Sequence, residues 1–312
     1  QAIVLQGSRG EYSRFSRWVT DIIAAKAPLF EKASIDEFYI DLSGMEKYHK
    51  PFEWTIALRQ QIIDETGLPI SFGIATSKMV AKIATDEAKP NGYLIIPPGK
   101  EADFLGPLKV SKIPGVGEQT HRTLLEMGVE HIRDILTVPQ AYLEQRLGKY
   151  GLELIQKAKG ISSSRLHSYH EAKSVSTENT FHENTSDMEF LMRELVRMTE
   201  KVAHELREEN LMAGVIAVKI RYPNFETTSR QTTIPYTFYD DELIPVAKEL
   251  FQKLYRPGEK IRLMGVRLAE LTSEAMQTNL FTDKQKKADL YKAIDEVKDR
   301  FGKNSLGKAG GK

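Results

Sequence analysis

Cysteine is absent from the 312 residues. Disulfides, thiolate metal sites and a cysteine nucleophile are therefore excluded, and the chain suits a reducing compartment. Also missing is any run of the roughly 18 apolar residues that a membrane-spanning helix needs, which argues against an integral membrane protein and a membrane partner. No charge of one sign dominates: 44 basic residues stand against 43 acidic ones, a net of +1. Any contact with a polyanion must come from local patches. There is no internal repeat, and low complexity is confined to the Gly/Lys-rich end at 302–312, which reads as a frayed tail. What remains is ordinary for a globular protein, with 41% hydrophobic and 28% charged residues. The length suffices for two or three cores. The opening residues lack the positively charged leader of a secretory signal, and 1–5 read as the end of a strand or loop entered from something earlier.

Residues 1–98 alternate helices and strands. Phe15, Trp18, Val19, Ile22 and Ile23 have helical spacing, so 11–26 is expected as an amphipathic helix that Pro28 stops. Residues 29–42 are rich in β-formers with polar residues in the middle and read as a hairpin. A helix over 52–66 ends at Gly67, and a short strand spans 69–75. Ser77 caps a helix over 78–89, Pro90-Asn91-Gly92 ends it, and 93–96 forms another strand. This is an α/β layer. Residues 99–170 read as short helices broken by Gly and Pro. Residues 171–275 give strands at 173–181, 215–222, 229–235 and 261–271 and helices at 188–209 and 242–255, an α+β pattern. In the last segment, 276–312, a charged helix over 283–301 can stand detached from the rest. The expected fold class is a multidomain α/β and α+β protein.

Asp36 and Glu37 sit in Ser34-Ile35-Asp36-Glu37-Phe38, between two β-prone stretches. On a regular strand they would point to opposite faces, and they converge only if the turn falls at the pair. Two carboxylates at a hairpin tip can hold a divalent cation such as Mg²⁺. Taken alone, the pair is more often an exposed acidic turn. Lys89, taken alone, is a solvated cation in the last turn of a helix.

The stretch Ser71-Phe-Gly-Ile-Ala-Thr-Ser-Lys-Met-Val-Ala-Lys-Ile-Ala-Thr-Asp-Glu-Ala-Lys-Pro-Asn-Gly92, together with Ser34-Ile-Asp-Glu37, closely resembles the palm domain of the Y-family (translesion) DNA polymerases, the DinB or polymerase IV branch in particular. The resemblance runs from about Arg9 to Phe281. It implies a partial palm over 1–98, a helical thumb over 99–170 and an α+β little finger over 171–275. It implies low-fidelity, template-directed DNA synthesis by a bacterial cytoplasmic, nucleoid-associated monomer, with primer–template DNA and a dNTP as partners. Carried over, Asp36 and Glu37 are two of three metal-binding carboxylates for two Mg²⁺ ions, with Glu37 nearest the attacking 3′-hydroxyl. Lys89 matches the lysine that touches the incoming triphosphate. Two departures stand out. Ser77-Lys78 replaces the usual Asn-Lys pair at a capping position, a change serine tolerates. No Asp-x-Asp-x-Phe strand carrying the third carboxylate, and no fingers domain, precedes the hairpin in these residues; Asp41 is a nearby acid, on the strand leaving the hairpin. The expectation is that these residues alone do not polymerise.

Ile113-Pro114-Gly115-Val116-Gly117 ahead of a helical stretch reads as a helix-hairpin-helix turn. Its glycines let backbone N–H groups approach a phosphate, and the following helix N-terminus adds its dipole; a plain Gly-rich connector is the other reading. In the family the thumb carries this motif. Ile216, Val218, Ile220 and Tyr222 alternate with Ala217, Lys219 and Arg221, giving an apolar face and a cationic one, with Arg230 expected on the neighbouring strand. Residues 171–274 hold 14 basic and 18 acidic residues, so binding must be confined to the sheet face, with the acids on the helices. Lys173, Ser174 and Ser176 match the family strand that contacts template phosphates. Gln277-Thr278-Asn279-Leu280-Phe281 resembles the bacterial sliding-clamp peptide, with Leu280 and Phe281 filling an apolar pocket and Gln277 at its rim. Two rivals remain: a non-catalytic DNA- and clamp-binding fragment, and a nucleotidyl cyclase, whose Gly-Gly-Asp-Glu-Phe hairpin resembles 35–38 but carries two glycines missing here.

Overall fold

The computed structural model describes residues 7, 9–45, 50–163, 165–167, 172–273, 284–302 and 305–307. The chain forms two compact units, residues 1–170 and 171–312.

In the first unit, helix α1 (Arg9–Ala24) turns Val19, Ile22 and Ile23 inward against Leu58 and Ile62 of α2 (Pro51–Thr66). Pro51 opens α2, where a missing N–H costs nothing. Gly67 closes it in the left-handed conformation, φ 71°, its N–H bonding the Ile63 carbonyl. Between these helices, β1 (Phe30–Lys32) and β2 (Phe38–Ile40) pair antiparallel, with Phe30 opposite Ile40 and Lys32 opposite Phe38. The tip, 33–37, is closed by the Ala33 and Ser34 N–H groups, which donate to the Glu37 carbonyl.

Strands β3 (Phe72–Ile74) and β4 (Tyr93–Ile95) are parallel and flank α3 (Lys78–Glu87). The Ser77 side chain caps α3 by accepting from the Val80 N–H, as expected. Gly73 is where β3 and α3 touch: a Cβ there would lie 2.8 Å from both Ala84 Cβ and Thr85 N. The expected α/β layer thus forms, but its strands are only three residues long and pair as two separate two-stranded sheets among the described residues. Met79, Val80, Ile83 and Ala84 of α3 share a core with the helices that follow: α4 (Glu101–Leu105), α5 (Glu118–Glu126), α6 (Gln140–Leu147) and α7 (Lys149–Ala158).

The second unit is a four-stranded antiparallel sheet in the order β5-β8-β6-β7, built from β5 (Ser174–Thr185), β6 (Met212–Arg221), β7 (Thr227–Thr237) and β8 (Ile261–Thr272). Helices α8 (Met188–Glu208) and α9 (Asp240–Leu254) cover one face. Asp187 caps α8 through bonds from the Glu189 and Phe190 N–H groups. Leu191, Leu195, Val202 and Leu206 of α8 and Leu243, Leu250 and Phe251 of α9 meet Ile216, Val218, Ile220, Met264, Val266 and Leu268 of the sheet. Each such burial is worth about 1.5–3 kcal/mol.

Helix α10 (Lys284–Phe301) corrects one expectation: it is not detached. Tyr291 is buried, and its hydroxyl donates to Asp241 Oδ1 at 2.7 Å. Asp295 accepts from Arg207 of α8 at 2.7 Å, and Arg207 also reaches Asp240 at 2.8 Å. The helix docks through these polar contacts and the single Tyr291 ring packed on Tyr239, which its charged sequence did not announce.

Candidate functional site

Asp36 and Glu37 lie in the 33–37 tip, consecutive and at the point where the chain reverses. Asp36 is exposed, and its Oδ1 accepts from the Ser34 hydroxyl at 2.6 Å, which fixes its rotamer. Glu37 is half-buried and faces α3. The face of α3 toward the hairpin carries Lys78 and Lys82, one turn apart. Lys78 Nζ holds both oxygens of buried Glu31 at the hairpin base, each at 2.7 Å. Lys82 Nζ donates to Glu37 Oε1 at 2.5 Å and lies 3.3 Å from an Asp86 carboxylate oxygen. Lys89 completes the ladder at 2.9 Å from Asp86. Glu37, Lys82, Asp86 and Lys89 thus line one surface.

The electrostatics follow from this ladder. Burial works against the charge on Lys82, yet its hydrogen bonds to Glu37 and Asp86 hold its pKa above the ordinary lysine value. Burial likewise opposes the charge on Asp86, but hydrogen bonds from Lys89 and Lys82 hold its carboxyl below the usual range. Burial pushes the Tyr39 hydroxyl up, and the charge of Glu37 adds to it. The loop bearing Lys89 is pinned by Arg59 of α2, which donates to the Ile70 carbonyl at 2.8 Å and to the Asn91 carbonyl and Oδ1 at 2.9 and 2.6 Å. Asn91 needs a positive φ of 51°, which explains an asparagine after Pro90. Sequence reasoning missed Arg59 and Lys82; the i,i+4 spacing of Lys78 and Lys82 opposite an acidic hairpin was the available signal.

Two adjacent carboxylates at an open tip offer the hard oxygen donors that Mg²⁺ takes, with waters and substrate phosphates filling the remaining positions. Asp41 is turned elsewhere, its Oδ1 accepting from the Ser43 N–H at 2.9 Å. Among the described residues the one three-ligand group of metal-binding type lies in the other unit, at His204, Glu208 and Asp299.

The Gly115 turn is open to solvent. Gly115 has φ 93°, a backbone conformation that favours glycine, and it packs close to the Tyr150 hydroxyl. The Val116 N–H bonds the Ile113 carbonyl, and Lys157 of α7 closes the turn from behind by donating to the Pro114 carbonyl at 3.2 Å. Gly117 is the exposed N-cap of α5 and offers no side chain, which leaves the first N–H groups of the helix accessible.

On the second unit, Ala217, Lys219 and Arg221 face away from α8 and α9, as their alternation with buried Ile216, Val218 and Ile220 predicts. Ser176 stands in one cross-strand row with Arg267 and Ala217, and Gln231 continues that row on β7. Lys173, Arg267 and Gln231 line a shallow depression of about 520 Å³. Arg267 was missed; it is the lone cation among buried apolar neighbours in 263–268, which was the signal. Two expectations need correction. Arg230 lies on the neighbouring strand as expected, but it pairs with Val218, so it is on the helix-covered side and does not join Lys219 and Arg221. The acids are not confined to helices, because Glu178 of β5 accepts from Lys219 at 2.5 Å across Gly265. The peptide Gln277, Leu280 and Phe281 lies outside the described residues.

The comparisons with known proteins agree with one another. Residues 172–280 match the impB/mucB/samB family C-terminal domain, and residues 1–86 match the impB/mucB/samB family. The DNA polymerase IV of Dehalococcoides mccartyi (strain CBDB1) is 32% identical over 309 residues, 98% of this chain and 79% of that protein. The DNA polymerase IV of Desulfatibacillum aliphaticivorans is 32% identical over 313 residues, with the same coverage of 98% and 79%. Among solved structures, a Y-family DNA polymerase chimera superposes with a TM-score of 0.72 at 26% identity, covering 86% of this chain and 78% of its own. An insertion ternary complex of Dbh DNA polymerase gives 0.59 at 26% identity, with coverages of 86% and 78%.

Proposed function

The chain belongs to the Y family of DNA polymerases, in the DNA polymerase IV branch, and from that premise we propose that it serves template-directed, lesion-tolerant DNA synthesis at the hairpin tip of its first unit. The reaction joins a primer 3′-oxygen to the α-phosphorus of a dNTP and releases pyrophosphate. Asp36 and Glu37 are the residues that would hold Mg²⁺, which when bound activates the nucleophile and neutralises the leaving group. The chain's own groups do the positioning. Lys82 fixes the Glu37 rotamer from the side of α3. Lys89 supplies positive charge for the triphosphate, and Arg59 holds the loop that carries it. The observation that supports this reading is the ladder Glu37–Lys82–Asp86–Lys89, which connects Glu37 to Lys89 through Lys82 and Asp86 of α3.

The remaining assignments belong to the same proposal. Residues 99–170 act as a thumb whose Gly115–Gly117 turn and α5 N-terminus take a backbone phosphate without reading sequence. Residues 171–275 act as a little finger that lays its open sheet face on DNA through Lys173, Ser174, Ser176, Arg267 and Arg221. The segment 277–281 tethers the enzyme to the sliding clamp, raising its local concentration at the primer end. Neither the cyclase nor the non-catalytic reading is favoured by these relatives.

Primer extension by the intact gene product tests the proposal. On a primer–template with dNTPs, extension should follow the template, require Mg²⁺ and stop with a chelator. Affinity for duplex should fall steeply with salt and hardly vary with sequence. Absence of templated incorporation, or strong sequence preference in binding, would contradict it.

A further inference from the structure

A buried histidine on the second unit aims an unsatisfied nitrogen at two carboxylates. His204 of α8 is 3% exposed. Its Nδ1 lies 2.9 Å from Asp295 Oδ1 of α10. Asp295 also accepts from Arg207 Nε at 2.7 Å. With Asp295 accepting from Arg207, its bond to the ring takes the Nδ1 proton and leaves Nε2 as the coordinating position. Among the described residues Nε2 has no hydrogen-bond partner. It faces Glu208 Oε1 at 3.5 Å and Asp299 Oδ1 at 3.9 Å.

Those distances are too long for a direct N–H···O bond, whose usual range is about 2.7–3.2 Å. They suit ligands gathered around one ion: tetrahedral zinc bonds of 2.0–2.2 Å place neighbouring donors about 3.4 Å apart. The three ligand atoms all fall within 4.8 Å of one another. Asp299, with a side chain 63% exposed, is free to turn toward the other two ligands. A carboxylate behind the imidazole, here Asp295, is the usual support of a metal-bound histidine, setting its tautomer and raising its basicity. An imidazole with two carboxylates suits zinc, and water completes the sphere.

We infer that His204, Glu208 and Asp299 form a divalent transition-metal site, best matched to Zn²⁺, that staples α10 to α8. It is separate from the hairpin tip, and it stands whether or not the polymerase reading does. The site draws one residue from the far end of α10, so its occupancy would hold that helix on the sheet domain. The role inferred for it is to hold α10 on α8, because its ligands come from both helices.

The test is a titration of the tag-free full chain with Zn²⁺ against a chelating indicator, repeated with Co²⁺ read by its visible absorption. One ion per chain should bind at a site of nitrogen and oxygen donors, and amide exchange in 284–301 should slow. The double variant Glu208→Gln/Asp299→Asn changes two exposed side chains, leaves folding intact by circular dichroism, and should weaken zinc binding at least about tenfold. Asp36→Asn, the control for the hairpin tip, should leave this site unchanged. Lack of saturable one-to-one binding overturns the inference, as does equal affinity in the double variant or loss of the site with Asp36→Asn.

Discussion

Two cations in this protein each bridge a pair of carboxylates, in opposite settings. Arg207 of the second unit sits between Asp240 and Asp295 with 7% of its side chain exposed, and Asp240 is itself buried. Lys82 of the first unit sits between Glu37 and Asp86, with its side chain 25% exposed and the acids 40% and 36% exposed. The buried bridge has no solvent to replace a lost partner, so it acts as a lock holding α8, α9 and α10 together. The open bridge leaves its acids within reach of a ligand, so it acts as a holder of side-chain positions. The same charge pattern locks elements together where desolvated and leaves its carboxylates accessible where wet.

Four expected outcomes sharpen or break that contrast, from the largest effect to the smallest. Arg207→Ala strands Asp240 and should cost the second unit about 3–5 kcal/mol, read from urea unfolding. A loss below about 1 kcal/mol would erase the contrast. Lys82→Met should cost at most about 1 kcal/mol of stability. Removing that competing cation should also tighten Mn²⁺ binding at the hairpin tip about threefold to tenfold. Unchanged Mn²⁺ affinity would mean that Glu37 is not a ligand. Arg267→Ala should leave the melting temperature unchanged while lowering the salt slope of DNA binding by about 1. An unchanged slope would take Arg267 off the interface. Asp86 supplies the smallest effect. Its folded pKa is depressed, so its contribution is present above the unfolded carboxylate range near about 3.9 and is lost as pH falls through the lower folded value. The stability difference between wild type and Asp86→Asn should therefore close on acidification and stay constant from pH 5 to 8; a difference that grows in acid would contradict the ladder.

Much of this was legible in the sequence, for identifiable reasons. Helices α1, α2, α8 and α9 carry apolar spacing that only burial explains. Gly67 and Ser77 mark helix ends through backbone conformation and capping, effects local to a few residues. The hairpin tip at Asp36 and Glu37 was readable because the pair stands between two β-prone stretches, where the chain reverses. Long-range facts were not readable. The face of Arg230 depends on the register across the 222–226 turn, which no residue there announces. The docking of α10 rests on Tyr291–Asp241 and Asp295–Arg207, polar pairs that a hydrophobic pattern cannot show. Lys82 looked like any helix-surface lysine until the hairpin was folded against α3.

The most direct test of the account is primer extension by Asp36→Asn in the intact gene product, measured beside its affinity for primer–template DNA. The substitution removes one charged oxygen donor at an exposed position and should leave the fold and DNA affinity intact. The account predicts that Mg²⁺-dependent extension falls at least about a hundredfold while DNA binding stays within about twofold. Extension at the wild-type rate would contradict the assignment of the hairpin tip as the catalytic site.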